Sequence, residues 1–111
     1  MDKPPALLRY ADVAPHSSGA RVDAFPLVTP EMSSSFGMNF SVFKDCSIDW
    51  TINYDEALHC LDGEIDIVIG GESHVLGPRD SIWLPAGTSL TYRAVNATVL
   101  AIYSPVDPQA A

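Results

Sequence analysis

From Phe36 onward the chain is a succession of short apolar stretches broken by turn residues, a rhythm that confines it to an all-β fold. Strands are expected over FGMNFSVF (36–43), WTINYDEALHCL (50–61), EIDIVI (64–69) and ESHVL (72–76). SIWLP (81–85), TSLTYRAV (88–95) and ATVLAIYSP (97–105) follow. Gly70–Gly71 supplies a hairpin turn and GPRD, from Gly77 to Asp80, another. Apart from a short turn near Pro4 to Tyr10, no segment shows the 3.6-residue period of an amphipathic helix. Strands recurring about every ten residues suggest a sandwich or a barrel. With 111 residues there is room for one domain with a modest core. Residues 1–35 are rich in Pro, Ser and Gly around a short apolar patch at Ala24 to Val28. They are expected as a partly irregular arm laid on the body or on a partner subunit, with residues 36–111 forming the barrel.

One residue breaks the pattern. Along the 49–61 strand, alternation puts Trp50, Ile52, Tyr54, Glu56, Leu58 and Cys60 on one face. Five are apolar or aromatic and the sixth is a carboxylate. Burying an ionised carboxyl without a partner costs several kcal/mol at least, so such a group tends to hold its proton. Its own face offers Tyr54 as a hydrogen-bond donor. The opposite face carries Ala57, His59 and Leu61, and VLAIY near the C-terminus is apolar on both faces. A strand needing two burial partners points to a homodimer, with His59 on the second surface. His74 shares parity with Leu76 and is a candidate to look inward, whereas His16 belongs to the solvated arm.

Fourteen acidic residues against six basic ones give a net charge of −8, which argues against binding nucleic acid or anionic membranes. No apolar run reaches signal-peptide or membrane-helix length, so a cytoplasmic protein is expected. In that reducing setting Cys46 and Cys60 are expected as free thiols, and their spacing is no metal motif.

Glu56 followed by Gly63 resembles the second half of the first cupin motif, and GPRDSIWLPAG, from Gly77 to Gly87, looks like the second. More specifically, FGMNFSVF, WTINYDE and LDGE resemble the cupin domain of ethanolamine-utilisation Q-type proteins over about residues 36 to 105. The resemblance implies a single jelly-roll-like (double-stranded β-helix) barrel. Metal-binding cupins carry histidines where this chain has Trp50, Ile52 and Leu90, so the three-histidine, one-glutamate centre cannot form and only Glu56 survives from it. Q-type proteins usually carry an additional N-terminal half, which is expected to be absent here. An acetate-kinase activity is attributed to that family, but nothing here resembles a phosphate-cradling Gly-rich loop.

In such a barrel the Glu56 face points into the cavity, and Tyr92, on the parity of Leu90, joins it. Trp50, Tyr54, Glu56, Tyr92 and His74 are thus the expected ligand-binding residues, with Glu56 and Tyr54 the catalytic candidates. Three readings stay open. Glu56 is an acid/base or anchoring group for a small polar metabolite, or a ligand of a divalent metal in a non-standard set, or a structural carboxyl. The alternative to a metabolite site is a non-catalytic module of a metabolic complex. Asp55 is expected to make an ion pair, with Arg93 as a possible partner, or a turn contact. Asp80 is expected to accept backbone N–H bonds within its turn.

Overall fold

The computed structural model of the chain describes residues 3–17 and 21–104. Among them are strands β1 (His16–Ser17), β2 (Val22–Val28), β3 (Gly37–Thr51) and β4 (Asp55–Ile69). β5 (Glu72–Leu76), β6 (Ser81–Leu84) and β7 (Ser89–Ser104) complete the set. A single 3-10 turn spans Tyr10–Asp12. All pairing is antiparallel in the order β1-β2-β3-β7-β4-β5, and β6 pairs with the first half of β4. Three long strands, β3, β7 and β4, therefore carry the molecule, and β7 is flanked along its length by the other two.

These strands are longer than the sequence suggests, because two expected breaks are bulges. The DEALHCL part of WTINYDEALHCL joins EIDIVI in β4, and TSLTYRAV and ATVLAIYSP join in β7. Leu61 is an extra residue of β4 against β7, since Cys60 pairs with Val99 and Asp62 with Thr98. One extra residue reverses which side chains face inward. Glu56, Leu58 and Cys60 are buried before the bulge, and Ile65 and Ile67 after it. β7 reverses at Val95, from Leu90 and Tyr92 to Ala97, Val99 and Ala101. β3 turns over in step at Asp45, which has φ +44. The three reversals lie side by side, so the sheet bends along one line and wraps its inner face around a core.

Gly63 sits on that line with φ +74, and a Cβ there would lie 2.1 Å from the Asn96 carbonyl oxygen. No side chain fits between these two backbones, so glycine is required for closure. Fully buried Ile52, Ile65, Ile67, Leu84 and Val99 fill the space within, each contributing about 1.5–3 kcal/mol of transfer free energy.

One expectation is corrected. The 49–61 segment is not one strand: the sheet is interrupted at Ile52–Tyr54, between β3 and β4. The apolar patch of residues 24–28 lies in strand β2, which adds to the edge of β3. Tyr10 packs at a tilt against Phe25 and edge-on against Phe40, with centroids 4.8 and 5.3 Å away, and so ties the first described residues to this edge.

Candidate functional site

The interruption at Ile52–Tyr54 positions the site. Ile52 donates its N–H to the Thr88 carbonyl at 3.0 Å and accepts from the Gly87 N–H at 2.8 Å. Asp55 Oδ1 accepts the Ala86 N–H at 2.9 Å, so Asp55 makes the turn contact rather than an ion pair with Arg93. The Pro85–Thr88 turn thus clamps the link from both sides. Beyond it β4 starts with Glu56 pointing inward, in register with Leu84 of β6 and Tyr103 of β7. Asp80 acts similarly one turn away, its Oδ2 accepting the Gly77 N–H at 2.9 Å.

Glu56 opens onto a cavity of about 450 Å³ lined by side chains of β2, β3, β4 and β7. Trp50, Tyr54, Glu56 and Tyr92 all line it. Trp50 stands at the mouth, 56% exposed, because it precedes the interruption and does not follow Ile52 into the core. Its side chain hydrogen-bonds that of Tyr54. Tyr54 in turn packs on Tyr103, with centroids 5.2 Å apart, and Tyr92 packs on Phe43 at 5.4 Å.

His74 is not among the lining residues, and its expected place in the cavity is corrected. It shares the face of Leu76, but β5 is the far edge strand and His74 pairs there with Ile67, in the core. Its Nδ1–H donates to the Ile67 carbonyl at 3.0 Å, and its backbone N–H donates to Asp66 Oδ1 at 3.0 Å.

Glu56 is only 4% exposed and is the one buried charged residue among those described. The Tyr92 hydroxyl hydrogen-bonds the carboxyl, while Oε1 has no partner. Burial pushes the carboxyl up from its ordinary 4.5 to about 7, and the Tyr92 hydrogen bond pulls more weakly the other way. Burial and then the charge of Glu56 push the Tyr54 phenol up to about 12, and Tyr92 and Tyr103 also rise. All three tyrosines therefore carry their protons at neutral pH and are available as donors. Glu56 is poised between acid and base, the condition under which proton transfer in either direction is efficient.

Sequence reasoning missed Asn39, Ser41 and Tyr103, which also line the cavity. Asn39 Oδ1, like Glu56 Oε1, is buried without a partner. Polar Asn39 and Ser41 read as an outward face, and Tyr103 lies in a run apolar on both faces, so alternation is silent there. The signal available was the reversal in β7, which puts Tyr103 on the parity of Val99 and Ala101.

The metal centre usual in this fold does not fit these residues. Ile52 and Leu90 are core side chains where histidines would be needed. No three His, Cys, Asp or Glu residues are grouped to hold a metal among the described residues. Cys46 and Cys60 are both free thiols.

Long antiparallel strands bent around an inner cavity, with Glu56 at the start of the fourth, make this a cupin barrel. The same fold is found in an RmlC-like cupin from Shewanella frigidimarina, with a TM-score of 0.82 over 100% of both chains at 13% identity. The chain belongs to the ethanolamine utilisation protein EutQ family, whose model matches residues 9–109. It is similar to the Clostridium difficile EutQ protein, with a TM-score of 0.77, 26% identity, and coverage of 92% of this chain and 82% of that one. Among curated relatives it is 33% identical over 66 residues to "Acetate kinase EutQ" of Clostridioides difficile, covering 60% of this chain and 42% of that protein. The chain thus spans less than half the length of that relative. No helix among the described residues is long and apolar enough to cross a membrane.

Proposed function

We propose that the barrel cavity binds a small polar metabolite, with Glu56 as its anchoring or acid/base group and Tyr54 and Tyr92 orienting it. The observation that carries this reading is the unpartnered Oε1 of a buried carboxyl facing a largely apolar cavity. A purely structural carboxyl would have both oxygens satisfied, because an unmet buried acceptor costs about 1–3 kcal/mol. A mostly apolar hollow with a few convergent polar groups is the usual make-up of a ligand site. The kinase activity in the relative's name is not carried over, since no lysine or arginine is among the described residues that line the cavity.

Glu56→Gln is expected to keep the fold and lose the ligand. Equilibrium dialysis of wild type and variant against a metabolite library, read by mass spectrometry, tests this. At least one compound should be retained by the wild type and released by the variant, and identical retention overturns the assignment.

The outer face supports a homodimer, or docking into a larger complex. Trp83, Ala57 and Ile102 stand side by side across β6, β4 and β7, and the row continues to Met38 of β3. Trp83 is 62% and Ile102 41% exposed. His59 lies in the next row, its Nδ1 2.6 Å from Ser81 Oγ. A second copy on this row would supply the burial partner that β4 lacks on that side. The reading places the protein in the cytoplasm, in keeping with two free thiols.

A further inference from the structure

The lining of the cavity also bears on the charge of its ligand, given that it is a ligand site. Two acceptors, Glu56 Oε1 and Asn39 Oδ1, are buried there without donors. They project from β4 and β3, the strands on either side of β7, one row apart in register, since Glu56 pairs with Tyr103 and Asn39 with Ala101. No lysine, arginine or histidine is among the described residues that line the cavity, and none of these therefore gives Glu56 a cationic partner within it. Five aromatic side chains, Phe43, Trp50, Tyr54, Tyr92 and Tyr103, make up much of the wall.

An anion would meet the Glu56 charge at close range with nothing to offset it. A neutral alcohol could donate to one acceptor, but would give the ionised form of Glu56 no counter-charge in its apolar surround. A hard divalent metal needs several oxygen ligands, and the wall supplies one carboxylate. An ammonium group answers all three features: it donates hydrogen bonds, neutralises the carboxylate and is attracted to aromatic faces. We infer that the cavity takes a small organic ammonium, its charged N–H groups on Glu56 Oε1 with Asn39 Oδ1 as a second acceptor, and its carbon skeleton against the aromatic wall.

Three probes of nearly equal size and different charge test this: n-propylammonium, 1-propanol and propionate. Each is titrated into the whole chain and followed by amide chemical shifts, in wild type and in Glu56→Gln. Magnesium and zinc chloride serve as metal-only arms. The inference expects propylammonium to shift residues around Glu56 and Asn39 with at least tenfold higher affinity than the other two probes. It further expects Glu56→Gln to erase that preference while its spectrum stays folded. If 1-propanol or propionate shifts the same residues as strongly, the ammonium assignment is overturned and the small-molecule site stands. If a metal salt alone shifts them and propylammonium does not, the ammonium assignment is again overturned. If none of the additions perturbs the cavity, the ammonium assignment is overturned, and the small-molecule site is decided by the dialysis of wild type against Glu56→Gln.

Discussion

The Tyr92 hydroxyl hydrogen-bonds the Glu56 carboxyl inside the barrel, yet Oε1 of the same carboxyl meets no donor. Half of the group is held by the protein and half is left open to the cavity. Tyr92→Phe should therefore remove the one stabilising contact and leave the wall's shape intact. The expected cost is about 1 kcal/mol in chemical denaturation. The Glu56 carboxyl should also titrate at higher pH than in wild type, because the lost hydrogen bond favoured the charged form. A downward move in the variant would refute that pairing.

The raised carboxyl has a stability consequence with a definite sign. Unfolded, Glu56 titrates near its ordinary 4.5, and folded near 7. Between those values the folded state binds the proton more firmly, so its share of stability falls as pH rises. That share is fully present below pH 4.5 and is lost by the time pH passes 7, amounting to about 3 kcal/mol at most. Denaturation of wild type and Glu56→Gln across this window should show wild type losing ground as pH increases. A difference independent of pH would contradict the shift.

Gly63 and Gly70 both have positive φ but differ in surroundings. A Cβ on Gly63 would strike the Asn96 carbonyl at 2.1 Å, whereas nothing lies within 4 Å of one on Gly70. Gly63→Ala should destabilise by more than about 3 kcal/mol or prevent folding, since backbone must move. Gly70→Ala should cost only about 1 kcal/mol, the conformational term alone. Thermal melts of the pair measure this directly, and equal losses would mean that the bulge line does not close as described.

Trp83 tests the outer face. Sedimentation should give twice the chain mass for wild type and a monomer for Trp83→Glu, with no change in the far-ultraviolet spectrum. A monomeric wild type at micromolar concentration would remove the homodimer.

Much of this was legible in the residues themselves. Alternation grouped Glu56, Leu58 and Cys60 on one face, and likewise Leu90 and Tyr92, because each set lies on one side of a bulge, and the family resemblance turned those faces inward. Parity could not be carried across Leu61 or Val95, where one extra residue reverses it, so joined strands read as separate ones. His74 had the right parity and the wrong strand, and only the sheet order reveals that β5 lies at the edge. Asn39 stayed hidden because a polar residue at a half-buried position is indistinguishable in sequence from a solvated one.

The most direct test is the titration of the Glu56 side-chain carboxyl by carbon-detected nuclear magnetic resonance, with Glu56→Gln to assign the signal. A buried carboxyl held by Tyr92 and otherwise open to an apolar cavity should titrate at about 7. A midpoint at the ordinary 4.5 would mean that Glu56 is solvated or fully paired, and the site built around it would not exist as described.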